Sequence, residues 1–345
     1  MSTPLRRALC LAAVLGLAAA CSASRCGAEA GALERARARG KLVCGMAESS
    51  KSVSAADSAA MWSGISADYC RALAAAVLGD KDAAKLRPLP RSDGAAALQS
   101  GQVDVLLGNI VMTSSQDTTL GIRFPGVLVF SGQGFMVRKA QAVASALELS
   151  GTRICIGADA AGVQSIADYF GTLRMPYELA KFEKWPDAVA AYANKGCQVL
   201  SADVFALALT RQRLADASEH LILPELAARK PMGPAVVQGD EEWFSIVRWT
   251  TFALIAAEEL GVTSTNVDFL KASSNAGTRR LLGVDGDSQL QPGLGADWVQ
   301  RMIRQVGNYG ELFERHLGPK SPLKLERRIN NLAGNGGLLY APPFR

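Results

Sequence analysis

The chain has 345 residues, 49% of them hydrophobic and 20% charged, which is the composition of a globular protein long enough for two domains. Its net charge is +5, but without the three arginines and one glutamate of residues 1–30 it is about +3. This weak and scattered positive charge, with no basic patch, argues against binding of nucleic acid.

Residues 1–30 are predicted to be a secretory signal peptide. Two arginines precede an apolar run over residues 8–20, which is too short to span a membrane. Two processing sites compete: Ala28-Glu29-Ala30 fits a signal cleavage site, and "LAAAC", which ends at Cys21, resembles an imperfect lipobox. We expect cleavage after Ala30 and export to the periplasm, with a lipid anchor at Cys21 as the alternative.

The cysteines downstream of this segment predict disulfide bonds. They are Cys44, Cys70, Cys155 and Cys197. An even number of cysteines in an exported chain favours pairing, and four allow three pairings. The sequence-local pairing, Cys44–Cys70 and Cys155–Cys197, would close loops worth about 3–4 kcal/mol each in the loop-entropy account. The alternative is four buried free thiols.

Strand and helix patterns alternate in the first part of the chain after the leader. The predicted elements are a strand over 40–47, a helix over 64–79, an extended stretch over 86–90, a helix over 92–101 and a strand over 103–108. This alternation predicts an α/β domain with a largely parallel sheet.

The same pattern then starts again. Strands are predicted over 152–160, 177–183 and 197–203, and helices over 162–174, 185–196 and 204–215. Two extended, glycine-flanked stretches, 131–139 and 233–243, are predicted to cross between the two units, which would make the first unit discontinuous. Helices over 241–261 and 296–318 complete the chain. The cleft between two such units is the expected ligand site.

The segment from Val103 to Phe124 is the first candidate for ligand contacts. Its apolar strand opens into neutral amides and hydroxyls, among them Asn109, Thr113 and Gln116. A short strand that ends in such groups is a common way to build a site for a small polar molecule.

The sequence resembles the periplasmic solute-binding proteins of general and polar amino-acid ABC transporters, solute-binding protein family 3. The resemblance covers nearly all of the chain after the leader. It is carried by "ALQSGQVDVLLGN", "GQGFMVRK", "LPELAARKPMGP" and the long tail "QVGNYGELFERHLGPKSPLKLERRINNLAGNGGLLYAPPFR".

The resemblance implies an α/β fold of the type II periplasmic binding protein kind, with two lobes joined by two hinge strands. Lobe 1 would be discontinuous, over 31–134 and 238–345, and lobe 2 would cover 135–237. Such proteins close on a small polar ligand and deliver it to an inner-membrane ABC permease. The resemblance implies no cofactor and no metal, and we expect a monomer.

The resemblance also maps two anchors for an α-amino acid. The partner of the ligand ammonium falls at Asp203, which could instead cap the helix that follows it. The arginine that binds the ligand carboxylate falls at Gln116, so the charged contact is missing. Arg123 lies seven residues further on and is expected to be structural.

The remaining candidate positions depart from the family pattern. The turn "GADAAG" keeps a helix N-terminus at Gly162 but lacks the usual hydroxyls, and Asp159 adds a negative charge there. Glu48 and Lys51 are new polar candidates, and Trp62 is either a wall of the pocket or part of the lobe packing.

These departures leave several functions open. The function implied by the resemblance is that of the solute-binding component of an ABC-type amino-acid uptake system, whose ligand could still bind through backbone groups and water. The alternative, indicated by a site that keeps a carboxylate and loses its arginine, is a diverged binding protein for an amine or other solute. A sensor or accessory role is a third possibility. A periplasmic dehydratase would use Asp203 with Glu48 or Asp159. The chain has two histidines, His220 and His316, and shows no known catalytic motif.

Overall fold

The structure is a computed structural model that describes residues 30–47, 55–108, 110–285 and 293–344, with the backbone alone for 55–63. Several predictions therefore lie outside the described residues: those for the signal peptide and Cys21, for Glu48, Lys51 and Asn109, and for the side chain of Trp62. Within the described ranges, no helix is both long and apolar enough to cross a membrane.

The first unit is built on a parallel three-stranded sheet in the order β2-β1-β3. Side chains from both faces of the sheet enter hydrophobic clusters, because helices cover both faces. The prediction of a parallel α/β unit is confirmed here. The elements are α1 (Ala32–Arg39), β1 (Leu42–Ala47), α2 (Ala55–Leu78), β2 (Ala84–Leu89), α3 (Gly94–Gln99), β3 (Val105–Gly108), α4 (Ser114–Thr119) and β4 (Ile122–Arg123).

The second unit has a mixed six-stranded sheet in the order β10-β5-β8-β6-β7, with β9 also paired to β5. Strand β6 is parallel to β7 and β8, whereas β5 is antiparallel to β8, β9 and β10. Its elements are β5 (Val129–Arg138), β6 (Arg153–Gly157), α5 (Ala160–Thr172), β7 (Glu178–Phe182), α6 (Trp185–Ala193), β8 (Val199–Asp203), α7 (Val204–Arg213), β9 (His220–Ile222) and β10 (Ala228–Met232).

The chain crosses between the units at two neighbouring places. It returns after β10 through β11 (Val236–Val237), which pairs with β4, and Ala235 exchanges two backbone hydrogen bonds with Leu106 of β3. The outward crossing precedes β5. The expectation that 131–139 forms this crossing is wrong, because β5 pairs with the second sheet along its length.

The C-terminal helices pack against the first unit. They are α8 (Glu241–Glu259), α9 (Ala276–Leu281), α10 (Trp298–Val306) and α11 (Tyr309–His316). The stretch 296–318, predicted as helical throughout, is broken at Gly307, whose φ of 103° favours glycine. The next residue, Asn308, then caps α11.

The C-terminal tail joins the two units beside the crossings. Asn330 makes two hydrogen bonds to the backbone of Phe130 at the start of β5, accepting from its N–H at 2.7 Å and donating to its carbonyl at 2.8 Å. Arg327 forms an ion pair with Glu258 of α8. The tail therefore ties a helix of the first unit to the start of β5 in the second sheet.

Two disulfides connect strands to neighbouring segments within each unit. Cys44 of β1 is bonded to Cys70 of α2, and Cys155 of β6 is bonded to Cys197, just before β8. The sequence-local pairing is thus the one observed. All four cysteines are buried, so each bridge is part of a hydrophobic core.

Removal of the second disulfide is expected to destabilise the protein. The C155A/C197A variant should lose about 2–5 kcal/mol of unfolding free energy, because its unfolded chain regains the entropy of an open loop. Urea unfolding of this variant and of C44A/C70A measures the effect. An unchanged urea midpoint of the wild-type protein after full reduction would contradict the expectation.

Candidate functional site

Asp203 lies at the carboxyl end of β8 and caps α7. Its Oδ1 accepts hydrogen bonds from Ser131 Oγ at 2.6 Å and from the backbone N–H of Phe205 at 3.1 Å. The helix-cap role considered from the sequence is therefore present. Oδ2 has no hydrogen bond within the described residues, and 27% of the side chain is exposed. One carboxylate oxygen is thus available to a ligand.

The surroundings of Asp203 make it a good partner for a cation. Burial raises the pKa of its carboxyl, against the opposing effects of the Lys230 charge, the Ser131 hydroxyl and the Phe205 N–H. The ionised form is costly to desolvate at this place. Binding a positive group beside Oδ2 offsets that cost.

Lys230 supplies such a positive group. It lies on β10, in register with Ser131 of β5. Its Nζ is 3.8 Å from Asp203 Oδ2, which is longer than a hydrogen bond, and 26% of its side chain is exposed. The site therefore contains a cation that the sequence analysis did not identify.

One backbone N–H at the N-terminus of α5 is engaged by the side chain that caps the helix. Asp159 Oδ2 accepts a hydrogen bond from the N–H of Gly162 at 3.0 Å. A Cβ at Gly162 would lie 3.1 Å from Gln133 Oε1, so a glycine permits this close packing. The N–H that was a candidate for ligand binding is already engaged.

The polar segment of the first unit lies against β10. Thr113 caps α4 by accepting a hydrogen bond from the N–H of Gln116 at 3.3 Å, and the Gln116 side chain is half-buried. The N–H of Met112 donates to the carbonyl of Pro231 at 2.9 Å, next to Lys230. The two units therefore bring Gln116 and Lys230 to neighbouring segments.

Arg123 contacts two side chains of the first unit. Its guanidinium lies 5.2 Å from the ring centroid of Phe244, and its Nε is 3.9 Å from Asp117 Oδ1. These contacts hold the short strand β4 against α4 and α8.

Both histidines have structural partners. His220 is buried between the Tyr192 hydroxyl at 2.7 Å and Asp216 at 3.0 Å, and His316 Nε2 lies 2.8 Å from Asp68 Oδ2. Among the residues with described side chains, no group of three or more His, Cys, Asp or Glu residues could hold a metal ion.

The structure thus groups Asp203 with three residues that the sequence analysis missed: Ser131, Gln133 and Lys230. The strand alternation in "ARKPM" was the available signal, because it places Lys230 and the buried Met232 on the same face. The positions of Thr113 and Gln116 across the crossings are compatible with a shared site.

The family of the chain is shown by comparison with known proteins. The sequence model of a family described as "Bacterial extracellular solute-binding proteins, family 3" matches residues 42–277. The "General L-amino acid-binding periplasmic protein AapJ" of Rhizobium johnstonii is 43% identical over 337 residues, covering 97% of this chain and 98% of that protein.

Two further relatives agree with this assignment. The "Glutamate/glutamine/aspartate/asparagine-binding protein BztA" of Rhodobacter capsulatus is 40% identical over 319 residues, covering 92% of this chain and 94% of that protein. A solved ABC transporter periplasmic binding protein from Brucella ovis, with glutathione bound, is 41% identical. Its TM-score is 0.74, and the match covers 92% of this chain and 100% of that one.

Proposed function

The chain belongs to family 3 of the bacterial extracellular solute-binding proteins, and from this premise we propose that it binds an amino acid for an ABC-type uptake system. The observation that carries the proposal is Asp203, whose Oδ2 is free of hydrogen bonds within the described residues. A ligand ammonium beside Oδ2 forms a charge-assisted hydrogen bond and offsets the desolvation of the carboxylate.

The proposed ligand position is the cleft between the two lobes. We propose that lobe 1 consists of the first unit with the C-terminal helices and that lobe 2 is the second unit, so that the boundary expected after residue 134 moves to the segment before β5. Thr113 and Gln116 face the ligand from lobe 1. Asp203 holds it from lobe 2, and Gly162 lines the site beside its cap. Glu48, Trp62 and Asn109 complete the proposed set. Ligand binding favours the closed arrangement because only this arrangement offers both sets of contacts.

The proposed setting is the periplasm, with a monomer that passes its ligand to an inner-membrane permease. Relatives at 40–43% identity are named as periplasmic or amino-acid-binding proteins, which supports this setting and a binding role rather than catalysis. Cleavage after Ala30 would release the protein, whereas lipidation of Cys21 would anchor it.

A second candidate function rests on Gln116. The neutral amide at the position of the expected arginine favours a diverged protein, either a binding protein for an amine or other solute or an accessory sensor. Such a protein would bind its ligand without promoting uptake of amino acids.

Uptake of radiolabelled L-amino acids separates these functions. Cells that lack the gene should take up at least one amino acid more slowly than parent cells, and the wild-type gene should restore the rate. A D203N gene should fail to restore it, although the variant protein is produced in equal amount. Equal uptake by deleted and parent cells for every amino acid would overturn the transport role.

A further inference from the structure

Asp203 and Lys230 lie close together, and each has a charged atom that makes no hydrogen bond within the described residues. Asp203 Oδ1 is engaged by Ser131 and Phe205, while Oδ2 is 3.8 Å from Lys230 Nζ. The Lys230 ammonium makes no hydrogen bond within the part of the chain that the structure describes. About a quarter of each side chain is exposed. The pair is therefore close enough to interact but too far apart to satisfy both groups.

Among the residues that the structure describes, the other candidates for contact with a ligand carboxylate are neutral or already engaged. Gln116 is neutral, and Arg123 is turned to Asp117 and Phe244. The N-terminus of α5, a natural site for an anion, is capped by Asp159. Lys230 is the cation that the described structure pairs with Asp203.

We propose that Lys230 binds the acid group of the ligand and so makes the site specific for zwitterions whose ammonium and carboxylate are on one carbon. This inference rests on the proposed function. The ligand ammonium takes Asp203 Oδ2, and the ligand carboxylate takes the Lys230 ammonium. The ligand completes the hydrogen bonding of both side chains.

The same arrangement rejects simple amines. An amine bound at Asp203 Oδ2 places its charge close to Lys230 Nζ, and like charges at such a distance repel. An amine also leaves the Lys230 ammonium without an acceptor. Of the ligand classes considered from the sequence, the structure therefore favours amino acids over amines.

The test compares one amino acid with its decarboxylated amine. Calorimetry against the twenty L-amino acids identifies the tightest one, and the amine with the same side chain is the second probe. Four proteins are titrated: the wild type, K230M, K230R and R229M. Arg229 is exposed and adjacent on β10, on the opposite face of the strand, so R229M removes the same charge outside the site.

The expected result is an opposite change for the two probes. K230M should bind the amino acid at least about 30-fold more weakly, since a partly buried charge-assisted contact is lost, and bind the amine more tightly. K230R should retain part of the preference for the amino acid, and R229M should match the wild type. A purely structural role of Lys230 would weaken both probes together.

The titrations distinguish failure of the proposed role of Lys230 from failure of the proposed function. If wild-type protein binds an amino acid and K230M binds both probes as the wild type does, the role of Lys230 is overturned while the proposed function stands. If wild-type protein binds none of the twenty amino acids, the proposed function itself fails. Circular dichroism verifies that each variant is folded before titration.

Discussion

Replacing Asp203 by asparagine is expected to weaken binding of an L-amino acid by about 2–5 kcal/mol, roughly 30-fold to several thousand-fold. The change leaves the shape of the side chain intact and removes the negative charge beside the ligand ammonium. The amide oxygen of the new side chain can still cap α7, because asparagine is as good an N-cap as aspartate. Calorimetric titration of D203N and wild type with the same amino acid measures the difference.

The matched control is D159N, which removes one carboxylate charge from the cap of α5. Asp159 is also the cap of a helix near the cleft, and asparagine preserves that cap. Its affinity should stay within about 0.5 kcal/mol of wild type. Wild-type affinity in D203N, or an equal loss in both variants, would show that Asp203 is not the ammonium anchor.

Replacing Asp68 by alanine is expected to lower the stability of the protein strongly. Asp68 of α2 is buried and accepts from Arg71 at 2.7 Å, from Arg315 and from His316 at 2.8 Å. It therefore joins α2 to α11. D68A should lower the unfolding free energy by about 2–4 kcal/mol. This loss is smaller than that for a fully buried ion pair, because Arg71 and Arg315 are partly exposed and can be hydrated when their partner is removed. Urea unfolding at pH 7 measures this loss.

The contribution of Asp68 also depends on pH. Burial opposes its ionisation, but the hydrogen bonds from His316, Arg71 and Arg315 outweigh burial and hold the pKa of this carboxyl well below its ordinary value. An acid whose pKa is lower in the folded state stabilises the protein above its unfolded pKa, about 3.9 for Asp. This stabilisation is lost as the pH falls below that value.

The difference in unfolding free energy between the wild type and D68N should therefore be smaller at pH 3 than at pH 7. D82N is the control, because Asp82 is exposed and paired with Lys81 alone among the described ion pairs. It should change the unfolding free energy far less than D68N does at pH 7, because an exposed ion pair contributes little. A D68N variant as stable as wild type at pH 7 would contradict the account.

Most of the fold could be predicted from local patterns. The strand and helix alternation identified both α/β units, because each element shows its own periodicity. The position of the first crossing could not be predicted, since β5 is defined by its pairing with β8, β9 and β10. The break at Gly307 was readable in principle from the glycine followed by Asn308, a good helix cap.

The candidate site could be predicted only in part. Asp203 followed from the resemblance and lies where a ligand can reach it. Lys230 could not be identified from the sequence, because its distance to Asp203 depends on two strand pairings that are far apart in the sequence. From the sequence, the glutamine in place of arginine at position 116 indicates loss of the contact with the ligand carboxylate. The structure instead places the Lys230 ammonium beside Asp203.

The measurement that tests the central claim most directly is calorimetric titration of purified residues 31–345 with the twenty L-amino acids. The account predicts that at least one binds with a micromolar or lower Kd, which is about −8 kcal/mol or more favourable. Folded protein that binds no amino acid at millimolar concentration would contradict the account.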